Sequence, residues 1–138
     1  MSSRNALKTL TKLGIFFLFF HIGSFVFAEN FQIYSISQEF PMGVKNEKIG
    51  KNFYVNIGKK QGVKSGDGLD VFRNISKLDP YGTKKRYNHS VKIGELKVIH
   101  VEENSSICVL GPIESGDNTP IFDIRNLMIG DKVLVKVN

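Results

Sequence analysis

Few residues in this sequence carry side chains that could do catalytic chemistry. After residue 28 the chain has one cysteine, Cys108, and two histidines, His89 and His100. Covalent catalysis needs a nucleophile, a base and a third group that orients the base. Cys108 with His100 is therefore the one pair of nucleophile and base worth testing.

The hairpin expected around Cys108 argues against this pair. A turn centred on residues 103–104 pairs residue 101 with residue 106. In this register His100 faces Ile107, and Cys108 faces Ile99. Side chains alternate between the faces of a strand, so His100 and Cys108 point to opposite faces unless a β-bulge intervenes. We expect Cys108 to be a small buried apolar residue and the protein not to be an enzyme.

Metal and cofactor sites also lack their usual patterns. A single cysteine excludes an intramolecular disulfide and a zinc site built on paired cysteines. Glu102 and Glu103 lie at a turn, but without the spacing of a calcium loop they are typical of a solvated hairpin tip. The glycine-rich run 58–68 precedes a strand rather than a helix, which is not a phosphate-binding arrangement. We expect no metal and no cofactor.

Cations mixed with aromatic rings form the most distinctive candidate for binding. The predicted partner-binding residues are Tyr81, Lys84, Lys85, Arg86 and Tyr87, with Lys77 and His89 close by. Three consecutive basic residues in a strand point to both faces, so they cannot all be buried against one core. Such a surface suits an anionic protein face, a glycan or peptidoglycan. The plainer alternative is a hairpin tip that its lysines keep soluble.

The overall charge argues against nucleic acid as a ligand. The formal net charge is +6, but Arg4, Lys8 and Lys12 belong to the N-terminal segment, which leaves +3 for residues 29–138. Nucleic-acid binding needs basic residues clustered on one face, and so small a surplus on a mixed surface does not indicate it.

The elements that would position these residues are strands. Alternating apolar residues and turn signals predict strands at 30–37, 52–57, 69–78, 83–101, 106–110 and 131–137. Asp79-Pro80-Tyr81-Gly82 has the residue types of a type I turn, so 69–78 and 83–101 form a long hairpin. Residues 111–118 are expected to be a loop, and Val101 falls out of alternation, which suggests a β-bulge. Five or six strands without an amphipathic helix favour an all-β fold, a small barrel or sandwich.

Two segments of the chain echo one another. Residues 63–71 and 127–135 both place Gly-Asp at the start of a strand. A glycine there takes the left-handed turn position, and the aspartate accepts hydrogen bonds from nearby backbone N–H groups. We interpret the two segments as equivalent corners of one barrel with a structural role. The predicted turn residues are Gly62, Gly66, Asp67, Gly130 and Asp131.

The first 28 residues have the three parts of a secretion signal. Residues 1–12 carry three positive charges, Leu13–Ala28 is an apolar run, and Val26-Phe27-Ala28 fits a signal-peptidase site. The apolar run is shorter than the roughly 20 residues that span a bilayer. We expect cleavage after Ala28, a periplasmic or secreted protein, and no stable membrane anchor after cleavage. The chain then divides into a signal peptide (1–28), an N-terminal strand and linker (29–51) and a β-barrel domain (52–138).

Three segments resemble a known family. They are Gly58–Arg73 (GKKQGVKSGDGLDVFR), Val91–Leu110 (VKIGELKVIHVEENSSICVL) and Met128–Val133 (MIGDKV). They look like the C-terminal domain of flagellar assembly protein T. The resemblance implies a small periplasmic β-barrel without enzymatic activity. In full-length relatives this domain lies beside other domains in a ring around the flagellar basal body.

The expected function follows from these observations together. We expect a non-catalytic exported β-barrel module that docks onto a larger cell-envelope or motility assembly of the flagellar type. The alternative is a cell-wall module that binds peptidoglycan or another glycan. A small secreted enzyme that uses Cys108 is a third hypothesis.

Overall fold

A computed structural model describes residues 29–136, and these residues form one antiparallel sheet of six strands. The strands are β1 (Ile33–Gln38), β2 (Lys51–Val55), β3 (Gly68–Leu78), β4 (Arg86–Val101), β5 (Ser106–Ile113) and β6 (Lys132–Val135). Their order in the sheet is β1-β2-β5-β4-β3-β6. The one helical turn within this range is a 3₁₀ turn at Lys59–Gln61. The predicted all-β fold is confirmed.

The sheet is not closed into a continuous barrel. Its two edge strands touch at one isolated bridge, between Gln32 and Lys132. Beside the bridge, the Val133 N–H donates to the Phe31 carbonyl at 2.9 Å. The strands therefore curl until the edges meet at one point, without a complete ladder of hydrogen bonds between them.

The core contains the inward side chains of all six strands and of two connecting segments. Its buried members are Ile33, Phe53, Val55, Ile57, Val63, Leu69, Val71, Ile93, Leu96, Val98, Cys108, Leu127 and Val133. The alternation predicted for residues 53, 55 and 57 is confirmed, because all three side chains are buried. Each large side chain buried in this way contributes roughly 1.5–3 kcal/mol to folding.

The prediction that β5 ends at residue 110 was wrong. β5 continues to Ile113, which pairs with Gly94 of β4. Gly111 resembled the start of a loop, but here it allows a close approach of two strands. A Cβ at Gly111 would lie 2.9 Å from the Glu95 carbonyl oxygen, and the β4–β5 register shifts next to this point.

β3 and β4 form the predicted long hairpin, with a longer connecting loop, and the last pair before this loop is Leu78 with Arg86. Residues 83–85 precede β4 rather than belonging to it. Lys84 has a left-handed backbone with φ of 50°, which does not fit a strand. The loop is closed by a hydrogen bond of 2.8 Å from the Asp79 N–H to the Lys85 carbonyl.

The two Gly-Asp corners have the same local geometry. Gly66 in the first corner (residues 63–68) and Gly130 in the second corner (residues 127–132) both have φ of +93°. Asp67 and Asp131 each accept the backbone N–H of the residue three positions earlier, in both cases at 2.8 Å. Because a side chain is strained at such a φ, glycine suits both positions.

Each corner also holds a neighbouring strand in the same way. Gly66 donates its N–H to the Val98 carbonyl of β4 at 2.8 Å, and Gly130 donates to the Ile33 carbonyl of β1 at 2.9 Å. In return, the Val98 N–H donates to the Asp67 carbonyl at 2.9 Å. The Ile33 N–H donates to the Asp131 carbonyl at 3.0 Å. The second corner thus joins the β6 edge of the sheet to its β1 edge.

Some predictions concern residues outside the described range. The leader at 1–28, its cleavage after Ala28 and the inward position of Val137 are among them. Between residues 29 and 136, no helix is long and apolar enough to cross a membrane.

Candidate functional site

The structure does not bring Cys108 and His100 together. The Cys108 side chain is fully buried, and this burial raises the pKa of its thiol. The His100 ring is exposed, with Nε2 2.8 Å from Oε1 of Glu102. The nearest polar contact of the thiol is the Ser106 hydroxyl at 3.7 Å. A buried thiol with a raised pKa, beside which residues 29–136 place no imidazole, is not arranged as a nucleophile within this part of the chain.

One detail of this hairpin was predicted wrongly. His100 faces Ile107 as expected, but Cys108 faces Val98 rather than Ile99. The β4–β5 register shifts between Val98 and His100, so a bulge lies at Ile99. The bulge leaves the Ile99 side chain 47% exposed and does not turn His100 inward.

Lysines neutralise the acidic residues Asp70, Glu95 and Glu114. The Lys92 ammonium lies 2.9 Å from Glu95, 3.0 Å from Asp70 and 3.4 Å from Glu114. Lys136 lies 2.9 Å from Glu95, and its hydrogen bond, followed by that of Lys92, lowers the pKa of the Glu95 carboxyl. Within residues 29–136, no three His, Cys, Asp or Glu side chains are grouped so that they could hold a metal ion.

β3 and β4 project beyond the sheet as a two-stranded ribbon, which we define as residues 74–90. β6 pairs with β3 only as far as Phe72, and β5 pairs with β4 only as far as Gly94. Past these points β3 and β4 pair with each other alone. Every residue from 81 to 90 is exposed. The ribbon therefore adds little to the core of the sheet.

The predicted partner-binding residues all lie at or near the end of the ribbon. Tyr81 in the loop is 84% exposed and Tyr87 in β4 is 47% exposed. The Lys85 ammonium lies 5.4 Å from the centre of the Tyr87 ring, a cation–π distance. Arg86 instead reaches the Ser76 hydroxyl at 3.4 Å, on the opposite face of the ribbon. Basic side chains are thus presented on both faces.

The net positive charge of the protein is concentrated in the ribbon. Residues 29–138 contain 16 basic and 13 acidic residues. Four of these basic residues and one acidic residue lie in the ribbon, so the ribbon carries +3 and the remainder of residues 29–138 carries 12 charges of each sign. The net charge of the chain does not reveal this arrangement, because the limits of the ribbon are known only from the strand pairing.

One face of the ribbon is the floor of an open groove of about 660 Å³. Ile75 and Val91 form the apolar part of the floor, and Lys77 and His89 lie beside them. The opposite wall is the segment 120–124 together with Met128. This wall has no regular secondary structure, so sequence reasoning had no periodic signal by which to find it.

Arg73, at the base of the ribbon, ties the groove wall to the second corner. Its guanidinium donates two hydrogen bonds to the Asp131 carboxylate, at 2.8 and 2.7 Å. It also donates to the carbonyls of Ile124 and Asn126 and lies 5.8 Å from the centre of the Phe122 ring. The Asp131 side chain is 3% exposed and that of Arg73 is 13% exposed. Asp131 was predicted only as a turn residue, and this buried ion pair was not predicted from the sequence.

Comparison with known proteins identifies the family. No curated protein sequence matches the chain. The family described as flagellar assembly protein T, C-terminal domain, matches residues 50–124. This range begins just before β2 and includes the whole ribbon and the segment that forms the groove wall. Because the match covers more than half of the chain, the protein belongs to the family of the flagellar assembly protein T C-terminal domain.

Proposed function

We propose that this protein is an exported, non-catalytic module that docks onto a larger flagellar assembly of the cell envelope through its ribbon. Membership of the flagellar assembly protein T family implies a role in flagellar assembly. The single observation that carries the docking role is the ribbon's net charge of +3 on an element that projects from an otherwise neutral body.

The physical character of the ribbon supports a docking role. A projecting two-stranded ribbon contributes little buried area to the fold, so its exposed rings and cations are free for a partner. Tyr81 and Tyr87 offer apolar area, and tyrosine and arginine are enriched at binding hot spots. A localised positive charge steers an anionic partner and speeds its association.

Two further observations support the non-catalytic and exported parts of the proposal. Among residues 29–136, the buried Cys108 thiol has no neighbouring imidazole of the kind that a cysteine nucleophile uses. The first 28 residues have the charged, apolar and small-residue regions of a secretion signal, in that order. We therefore place the mature protein in the periplasm or outside the cell.

The test replaces Lys84, Lys85 and Arg86 together by serine. The free energy of unfolding should change by no more than about 0.5 kcal/mol, the usual range for surface substitutions. Binding to isolated flagellar basal bodies should weaken at least tenfold at low salt and lose much of its salt dependence.

The matched control removes three lysines from the neutral body. Lys45, Lys48 and Lys60 are exposed, so their replacement by serine changes the net charge equally. This control should bind the basal bodies nearly as well as the unmodified protein. Equal weakening by the two triple variants would mean that overall charge, rather than the ribbon, drives the binding and would refute the proposal.

Binding of peptidoglycan or another glycan is the second candidate function. The observation that favours it is the Tyr81 ring, which is 84% exposed at the end of the ribbon and presents an apolar face with a polar tip. Sedimentation with purified peptidoglycan tests it. Cosedimentation that is lost in Tyr81→Ala would support this function over protein docking.

A further inference from the structure

β3 has a free edge along the ribbon. The Lys136 N–H donates to the Gly68 carbonyl, so even-numbered residues of β3 direct their backbone groups towards β6. The Asp79 N–H donates to the Lys85 carbonyl, which shows that odd-numbered residues face β4. Beyond Phe72 the even-numbered residues have no strand of the described chain beside them. These residues are Asn74, Ser76 and Leu78.

The groove lies along this same stretch of β3. Five consecutive β3 residues, 73–77, line it, and the wall at 120–124 stands opposite them. Ile121 in that wall is 92% exposed and Ile124 is 53% exposed. A neighbouring strand lies about 4.8 Å away in the hydrogen-bonding direction. The site therefore combines unpaired backbone groups with exposed apolar side chains on both sides.

The charges at the groove indicate the chemistry of its occupant. Lys77 and His89 line the floor. Tyr87 lies directly opposite Lys77 in the β3–β4 register, which puts it and its cation–π partner Lys85 on the same face. Among the described residues that line the groove, Asp123 is the one carboxylate. With the ribbon at +3, the complementary ligand is acidic.

We propose that the groove binds an extended, acidic segment of a partner protein, which adds as a further strand to the free edge of β3. The backbone of the segment pairs with Asn74, Ser76 and Leu78, alternate apolar side chains pack into the groove, and the carboxylates between them lie on the opposite face of the ribbon, which carries Arg86. This inference rests on the proposed docking function and names the mode of docking. Main-chain pairing supplies affinity, and the groove and the positive charge of the ribbon supply selectivity.

Proline substitution separates strand addition from attraction by charge. Ser76→Pro removes an N–H that points to the free edge and is not used in the β3–β4 ladder, so proline is tolerated there. Asn88 lies opposite Ser76 in the register, so its N–H points to the other side of the ribbon. Asn88→Pro is therefore the matched control, because it removes an equivalent N–H from the wrong edge.

The probe is a fluorescent synthetic peptide of about seven residues in which glutamate and valine alternate, with both ends blocked. A second peptide carries lysine in place of glutamate. With the protein recovered from expressing cells, fluorescence anisotropy should show saturable binding of the acidic peptide and none of the basic one. Ser76→Pro should weaken binding at least tenfold, whereas Asn88→Pro should change it less than twofold.

Amide hydrogen exchange on the unmodified protein is the second measurement, and it decides the matter if Ser76→Pro fails to fold. Saturating acidic peptide should slow exchange at Asn74, Ser76 and Leu78 at least fivefold. Unchanged exchange at these amides, or equal binding by the two proline variants, would overturn strand addition. The ribbon triple variant would then still decide whether the protein docks by charge, so the two proposals fail separately.

A second copy of the chain is the competing occupant. Phe40, Met42 and Val44 are exposed apolar residues of the loop between β1 and β2, so they could fill such a groove in another molecule. Analytical ultracentrifugation should show that the protein is a monomer both without and with the acidic peptide. A dimer that Ile121→Glu abolishes would assign the groove to self-association and overturn the proposal.

Discussion

The two Gly-Asp corners offer a matched pair of substitutions, Asp131→Asn and Asp67→Asn. Both aspartates accept a backbone N–H at 2.8 Å after a glycine with the same φ. Asparagine keeps an acceptor oxygen for that bond at both sites. Only Asp131 also pairs with an arginine, Arg73. The difference between the two variants therefore isolates the ion pair from the corner itself.

The expected magnitude follows from the burial of the pair. Removing one partner of a buried ion pair typically costs about 3–5 kcal/mol, because the other charge is left without compensation. In Asp131→Asn, Arg73 keeps its bonds to the carbonyls of Ile124 and Asn126 and its contact with the Phe122 ring. Because these contacts remain, we expect Asp131→Asn to lower the free energy of unfolding by about 3 kcal/mol, the lower end of this range. Asp67→Asn loses only part of one hydrogen bond, about 0.5–1 kcal/mol. The gap between the two should be about 2 kcal/mol.

Urea denaturation measures this difference, since guanidinium would itself compete for the carboxylate. Each variant should keep the m-value of the unmodified protein while its midpoint falls. For a domain of this size a loss of about 3 kcal/mol lowers Tm by roughly 12–24 °C. Arg73→Leu in the Asp131→Asn background should cost less than the sum of the single changes. If the two aspartate variants lie within about 0.5 kcal/mol of each other, the ion pair is not the stabilising feature argued here.

Further predictions concern separate parts of the chain. Gly58→Ala should cost about 1–3 kcal/mol in urea denaturation, because its Cβ would lie 2.4 Å from a backbone oxygen of the β4–β5 turn. The Cys108 thiol should react with a thiol reagent only as fast as the protein unfolds, since it is buried and its pKa is raised. The lowered pKa of Glu95 means that folding favours the charged carboxylate. The stabilisation of the folded protein by this carboxylate is therefore present at neutral pH and is lost as the pH falls below the ordinary pKa of 4.5. Glu95→Gln should flatten that part of the stability–pH curve. Intact mass of the exported protein should show loss of residues 1–28, and a retained leader would contradict cleavage after Ala28.

The sequence predicts those parts of the fold that local rules determine. Alternation of Phe53, Val55 and Ile57 predicts a half-buried strand, and all three side chains are buried in the structure. The turn residues at 79–82 predict the long hairpin, but its register does not follow from them, because the loop extends to residue 85 and Leu78 pairs with Arg86. Local rules failed at Gly111, which was predicted to begin a loop but lies within β5. In the sequence, a glycine that permits close contact between strands looks the same as a glycine that begins a loop.

The site was only partly accessible to the same reasoning. The basic and aromatic residues at 81–87 are visible in the sequence, because composition alone marks them. Their isolation from the sheet depends on where β5 and β6 stop pairing, which no local pattern determines. The pairing of Arg73 with Asp131 joins residues 58 positions apart, and a groove wall without periodicity gives no pattern to detect.

Comparison of the two corners explains the role of Arg73. The first corner forms the same turn, with the same φ and the same aspartate hydrogen bond, although no ion pair forms at Asp67 among residues 29–136. The corner geometry therefore does not require an arginine. What Arg73 adds at the second corner is the set of bonds to the carbonyls of Ile124 and Asn126 and its contact with the Phe122 ring. Arg73 belongs to β3, so this side chain fixes an irregular segment against the ribbon base and holds the groove wall opposite the free edge of β3.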